Sequence, residues 1–404
     1  MTSERHFVIV GGGLAAAKLA EALRANDFEG QVTLIGAEEH LPYERPPLSK
    51  DHLFGKKNFD DFVAAPGQWY RDHRIEVRLG TAVRAIDRAA KTVTLPDDST
   101  LAYDKLALAT GSAPRRLELP GADGPNVHQL RTIEDSDTLL KLFSGTPKIG
   151  RLAIIGAGWI GLEVAAAARS AGVEVTIVES AKLPLLGALG PEMGEFFAKL
   201  HRDNGVDLRL DTEVAGIDAS GLRLADGGAV AADAVLVAVG ATPNIELARE
   251  AGLDVDNGVL VDAGLTTSDP DIVAVGDIAA HDHPRLRRRI RVEHWATALN
   301  QPAVAAVTML GKPAEYDRLP YFFTDQYDVG MEYTGYASPG EYQRVVVRGD
   351  QAAREFVAFW LDPQDRVLAG MNVNVWDVTD RIKELITTGA PVDLTRLADT
   401  SVDL

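Results

Sequence analysis

A strand, a glycine turn and a helix of small residues occur twice in this chain, and that repetition limits its possible folds more than any other feature. The second copy is the fuller one. Leu152–Ala153–Ile154–Ile155 runs without polar alternation, as a strand buried on both faces does, into Gly156–Ala157–Gly158–Trp159–Ile160–Gly161. This is a complete G-x-G-x-x-G, and the residues after it read as helix until Gly172. Val173–Val178 forms the next strand and delivers Glu179, 21 positions past Gly158 (158 to 179). A carboxylate at that distance accepts the hydroxyls of an adenosine ribose. In the first copy Phe7–Val10 enters Gly11–Gly12–Gly13, followed by Leu14 and Ala15, with Ala16 where the third glycine would stand. Gly11 and Gly13 suit a turn that passes close to a pyrophosphate, and the helix N-terminus beyond favours phosphate charge. Each copy is thus a candidate dinucleotide site.

At 404 residues the chain has room for two or three domains. A formal charge of −18 argues against a general nucleic-acid or anionic-membrane binder. Even the longest apolar stretches, such as Ala234–Ala241, are too short to span a membrane. Met1–His6 leads straight into the first strand, so the expectation is a cytoplasmic protein without a signal peptide. The sequence holds no cysteine, which removes disulfide exchange, thiolate catalysis, and cysteine-held zinc or iron–sulfur clusters. No metal site is expected.

Between the two copies, Gln31–Gly36 reads as a second strand, with Ala37 and then Glu38 at its end. Glu38 lies 25 positions past Gly13 (13 to 38), slightly beyond the usual ribose-acid spacing. Leu41–Lys50 is stiffened by Pro46 and Pro47, the latter suited to the first turn of a helix. Short strands follow at 75–79, 83–86 and 91–95, and Leu106–Ala107–Leu108–Ala109 ends in a tight turn at Thr110–Gly111. After the second copy, Asp233–Val239 runs into Gly240, and Ile272–Val275 leads to Gly276–Asp277. Asp277 then stands at the carboxyl end of a strand, where open α/β sheets bind ligands, and also suits the N-cap of a helix. From Tyr321 onward the pattern changes to a hairpin around Asp362–Pro363 and a helix at 380–387. The fold class expected is α/β, with two Rossmann-like dinucleotide-binding domains and a smaller α+β C-terminal domain.

Two dinucleotide folds in a cysteine-free chain suit hydride transfer between bound cofactors, of which FAD and NADH are the usual pair. Glu179 favours NADH over NADPH, because it repels a 2′-phosphate and only Lys182 stands near to offset it.

The motifs GGGLAAAKLA, LPYERPPLSK, LALATGSAPR, IIGAGWIGLEVA, VAVGATPN, TSDPDIVAVGD and FFTDQYD resemble those of a known family across nearly the whole chain. The chain resembles the FAD-dependent NADH:ferredoxin reductases of bacterial oxygenase systems, of the putidaredoxin reductase and rhodocoxin reductase type, on a glutathione-reductase-like fold. The resemblance implies a FAD-binding domain split into residues 1–112 and 242–318, an NAD-binding domain at 113–241 and a C-terminal domain at 319–404. It places FAD against Gly11, Gly13, Leu14, Ala15, Ala37, Glu38, Arg45 and Lys50. Val83, Ala109, Thr110, Gly111 and Arg131 would line the same cofactor. So would Gly276, Asp277, Glu293, His294, Trp295 and Phe323. NADH falls to Gly156, Gly158, Trp159, Ile160, Gly161, Glu179 and Gly240. By the same resemblance Lys50 and Glu163 form a catalytic ion pair at the reactive edge of the flavin. Family members often carry tryptophans in the stretch that here reads Tyr321–Phe322–Phe323–Thr324–Asp325–Gln326. Phe323 can stack but cannot donate an indole hydrogen bond.

The partner implied is an iron–sulfur ferredoxin, of 2Fe-2S type, serving a cytochrome monooxygenase or a ring-hydroxylating dioxygenase. Arg285, Arg287, Arg288, Arg289 and Arg291 are an outlying basic run in an acidic chain. That run is either a solvated hairpin or a steering patch for such a partner. Alternatives left open are an NADH oxidase and a flavin-bearing NADH sensor resembling apoptosis-inducing factor.

Overall fold

The structure, a computed structural model, describes residues 5–404, so Met1–Glu4 of the expected leaderless start lie outside the described residues. The chain forms two compact units. The first comprises residues through Arg45, Phe59–Ala113 and Thr242–Arg318, and the second Pro46–Asn58, Pro114–Ala241 and Leu319–Leu404.

The first unit is built on a five-stranded parallel sheet. His6–Val10 lies between Gln31–Ile35 and Lys105–Leu108, with Ile75–Arg78 and Ile272–Ala274 at the edges. The apolar run Phe7–Val10 is central and covered on both faces, so it is buried throughout. The helix Leu14–Ala25 packs its alanines and leucines into the same core. A three-stranded antiparallel sheet of Ala85–Asp87, Thr92–Thr94 and Thr100–Ala102 interrupts the unit.

The second unit repeats this plan. Arg151–Ile155 lies between Glu174–Val178 and Ala234–Val237 in a parallel sheet edged by Asp207–Arg209 and Val127–His128. It too carries a three-stranded antiparallel insert, of Val214–Asp218, Gly221–Leu224 and Ala229–Ala231. The expected C-terminal hairpin is present as Glu355–Leu361 and Val367–Val373, within a five-stranded antiparallel sheet that also holds Tyr321–Gln326. The helix Thr379–Thr388 covers one face of that sheet. Trp360 donates its indole N–H to the Leu189 carbonyl at 3.0 Å, and Phe356 meets Phe196 edge-on, so this sheet groups with residues 114–241.

Two features differ from the sequence reading. Residues 46–58, expected within the first segment, group with the second unit because Ser49 and Lys50 both donate to Glu163 and Ser136 donates to the Leu48 carbonyl. Asp277 does not cap an α-helix. It lies inside a 3-10 turn, Gly276–Ile278, that passes directly into the strand Ala279–His283, so its carboxylate is available for side-chain partners. No helix among the described residues is long and apolar enough to cross a membrane.

Two buried histidines make stability fall in acid. Burial pushes His201 and His281 down to about 4. Between pH 6.5 and that value the unfolded chain binds protons that the folded chain refuses, so lowering the pH through this window favours unfolding. The cost is about 2 kcal/mol per histidine at pH 5. Urea titrations are expected to give a lower midpoint at pH 5 than at pH 7.5, and a His201→Gln variant a flatter dependence. An unchanged slope in that variant would show that His201 accepts its proton when folded.

Candidate cofactor and hydride-transfer site

The two glycine turns have the backbone geometry a pyrophosphate needs. Gly11 has φ +136°, and a Cβ there would lie 2.1 Å from the Ala109 carbonyl oxygen. Gly156 has φ +103°, and a Cβ would lie 2.5 Å from the Ala238 carbonyl oxygen. Neither position admits a side chain. The helices that follow start at Gly13 and Gly158, with no side chain capping their first N–H groups. By contrast, the helix Ile133–Ser144 has a full capping box from Thr132 and Asp135. Bare helix starts over glycine turns fit the phosphates of a dinucleotide in each unit.

In the first unit several expected residues converge. Glu38 takes Arg45 on one carboxylate oxygen at 2.6 Å and the Tyr43 hydroxyl on the other at 2.6 Å, and Arg45 also donates to Tyr43. Burial opposes the Arg45 charge, but Tyr43 and Glu38 outweigh it and hold its pKa above the ordinary value. Gly276 comes against Ala15, and its N–H donates to the side-chain oxygen Oε1 of the buried Gln301 at 2.8 Å. Asp277 accepts from Ser112 at 2.8 Å. Asn244 clamps the Thr110–Gly111 turn by exchanging hydrogen bonds with Thr110 and donating its N–H to the Gly111 carbonyl. Val83 is half-buried against the core, while Ala37 is exposed on its turn. Leu14 is buried at the helix start, and His294 caps the helix Trp295–Met309 through Nδ1. Glu293 accepts from Arg291.

The second unit brings together Lys50 and Glu163, whose Nζ and Oε1 are 2.7 Å apart. Glu163 is almost fully buried; its other oxygen accepts from Ser49, and Oε1 also accepts from Thr324 at 2.6 Å. The Lys50 ammonium lies 5.2 Å from the centre of the Phe323 ring, in cation–π range. Burial holds the neighbouring Asp325 carboxyl above the usual range, with Lys50 offsetting only part of that effect. Trp159 packs at 4.8 Å on Phe322, and Ile160 is 40% exposed at the start of its helix. Gly161 admits the helix close to its strand, since a Cβ there would lie 2.3 Å from the Gly156 carbonyl oxygen. Glu179 accepts from the backbone N–H groups of Ala157 and Ala181 at 2.7 and 2.8 Å, fixing its carboxylate across the glycine turn. Gly240 is exposed with φ +98°, and Arg131 donates its N–H to Asp135.

The arginine run folds as a hairpin of Ala279–His283 and Arg288–Ile290. Arg285 pairs with Asp317, Arg289 with Asp282, and Arg291 with Glu293. At least three of the five arginines are thus answered by carboxylates, and the local excess of positive charge is smaller than the sequence suggests.

Residues 5–301 match the pyridine nucleotide-disulphide oxidoreductase family, and residues 321–404 match the reductase C-terminal family. The chain belongs to the pyridine nucleotide-disulphide oxidoreductase family. Within it, the chain is 43% identical to the ferredoxin–NAD(+) reductase component of the anthranilate 1,2-dioxygenase system of Burkholderia cepacia, over 98% of each chain. It is 38% identical to rhodocoxin reductase of Rhodococcus erythropolis, over 98% of this chain and 93% of that one. Its structure matches putidaredoxin reductase in the covalent putidaredoxin reductase–putidaredoxin complex with a TM-score of 0.93 and 37% identity, covering 99% and 97% of the two chains. This pyridine nucleotide oxidoreductase takes FAD and NAD(H), and the two bare glycine turns fit them. Despite the family's name, thiol–disulfide chemistry is closed to a chain with no cysteine.

Proposed function

We propose that the chain is an NADH-dependent ferredoxin reductase supplying electrons to an oxygenase system, with FAD in the first unit and NADH in the second. The observation that carries this reading is the absence of cysteine from a chain that belongs to this family. Electrons that enter as hydride have no in-chain disulfide to reduce and leave to an external acceptor. FAD supplies the conversion between hydride and single-electron chemistry.

The residues divide the remaining work. Gly11, Gly13 and the start of Leu14–Ala25 hold the FAD pyrophosphate, and Glu38, fixed by Arg45 and Tyr43, reaches the adenosine end. Gly156, Gly158 and the start of Trp159–Ser170 do the same for NADH, and Glu179 accepts the ribose hydroxyls. Lys50 provides positive charge where negative charge develops during hydride transfer, and Glu163 holds it there.

The test is NADH-driven reduction of a purified 2Fe-2S ferredoxin, followed with cytochrome c as final reporter. Turnover that requires the ferredoxin supports the proposal. Equal NADH consumption with oxygen alone would point instead to an oxidase, and a long-lived reduced complex without turnover to a sensor. Because a basic hairpin attracts an acidic partner through long-range charge, ferredoxin reduction is expected to fall about three- to tenfold between low and 0.5 M salt. Reduction of a neutral quinone should barely change over the same range. Parallel salt curves for the two acceptors would argue against docking at the arginine hairpin.

A further inference from the structure

Glu163 is the end of a longer buried chain. Beyond the direct donors Lys50 and Ser49, the Thr324 hydroxyl lies 2.6 Å from Glu163 Oε1. Gln326 Nε2 lies 3.1 Å from Thr324 Oγ1, His201 Nε2 lies 2.9 Å from Gln326 Oε1, and the Tyr327 hydroxyl lies 3.3 Å from His201 Nδ1. Thr324, Gln326 and His201 are 0%, 1% and 0% exposed. Burying this much polarity is costly unless each group is satisfied, and a well-packed apolar trio would stabilise the fold at least as well. Stability alone therefore does not account for it.

The chain can run in one direction only. An ionised Glu163 accepts and cannot donate, so the Thr324 proton points to it. Thr324 Oγ1 must then accept from the Gln326 amide N–H. That orients Gln326 so that its carbonyl oxygen accepts from His201, which fixes the Nε2–H tautomer. Nδ1 is left to accept from Tyr327. The depressed pKa of His201 agrees, since a neutral ring keeps this single polarity. Every dipole in the sequence points its positive end toward Glu163.

We infer that Thr324, Gln326 and His201 form a one-way hydrogen-bond chain that positions the Glu163 carboxylate and, through it, the Lys50 ammonium. They are positioning residues and touch Lys50 only through Glu163. The inference rests on the proposed role of Lys50 for its meaning in catalysis, but not for its test.

The test uses the FAD-loaded enzyme and the 15N resonance of the Lys50 side-chain ammonium, assigned by its loss in Lys50→Met. Thr324→Val, Gln326→Leu and His201→Leu should each shift and broaden that resonance, most for Thr324→Val and least for His201→Leu. Thr324→Ser should restore it. Stopped-flow reduction by NADH should slow about tenfold in Thr324→Val at unchanged NADH affinity. A Lys50 resonance unmoved by all three variants overturns the inference, and so does one moved by Thr324→Val alone. Flavin reduction unaffected by Lys50→Met would defeat the proposed role of Lys50 instead, and leaves the resonance to decide the chain by itself.

Discussion

Lys50→Met is expected to slow reduction of the bound flavin by NADH about 10²–10³-fold while leaving NADH affinity within a few-fold of wild type. The size follows from the environment. The ammonium sits 13% exposed between a carboxylate at 2.7 Å and the face of Phe323, where solvent screens it weakly. A cation held there in advance stabilises developing negative charge without reorganising when hydride moves, whereas methionine fills the space and carries no charge. The effect belongs in the limiting rate, because the proposed role of Lys50 is to offset charge that develops only as hydride moves. The variant also leaves Glu163 buried with Ser49 and Thr324 but without its cation, which costs stability. The double variant Lys50→Met, Glu163→Gln separates the two effects. It should recover thermal stability without recovering rate, because Glu163 acts through Lys50. Stopped-flow reduction at wild-type speed in Lys50→Met would sink the assignment.

What the sequence disclosed follows from the range over which each constraint acts. The glycine turns are local: a buried strand, close backbone approach and a helix start within about a dozen residues leave few alternatives, so the first parallel sheet and the three central strands of the second were legible, while its short edges Val127–His128 and Asp207–Arg209 were not. The meeting of Lys50 and Glu163 was not, since 113 positions separate them and only family resemblance joined them. Ser49 stood beside Lys50 unnoticed because a serine in a proline-rich loop has many uses. Thr324 and Gln326 left a faint signal, two polar residues at period two that occupy one face of a strand whose ends are otherwise aromatic and charged. His201 left none, because one histidine on an amphipathic helix looks the same whether or not a distant strand supplies its partner. The arginine run misled in the opposite sense. Its charges were countable, and Asp282 and Glu293 flank it in sequence, but their pairing with Arg289 and Arg291 is set by the fold and Asp317 comes from elsewhere in the chain.

The same locality supports the choice of reductant, and NADH is expected to exceed NADPH in kcat/KM by about 10²–10³-fold, with each factor of ten worth about 1.4 kcal/mol. Glu179 is held by two backbone N–H groups, one from within the G-x-G turn, so the carboxylate cannot swing away from a 2′-phosphate without breaking both hydrogen bonds. The nearest strand beyond offers Arg209, whose backbone carbonyl accepts from the Glu179 N–H, but its guanidinium is engaged with Asp207 at 2.9 Å and the Ala229 carbonyl. A 2′-phosphate would therefore meet a fixed negative charge beside an arginine already engaged elsewhere. Glu179→Ala should narrow the preference at least tenfold, chiefly by lowering efficiency with NADH, because removing the acceptor does not create a phosphate site. Adding an arginine by Ser180→Arg in that background should raise efficiency with NADPH itself. Steady-state assays giving equal kcat/KM for the two reductants in the wild-type enzyme would refute the role of Glu179.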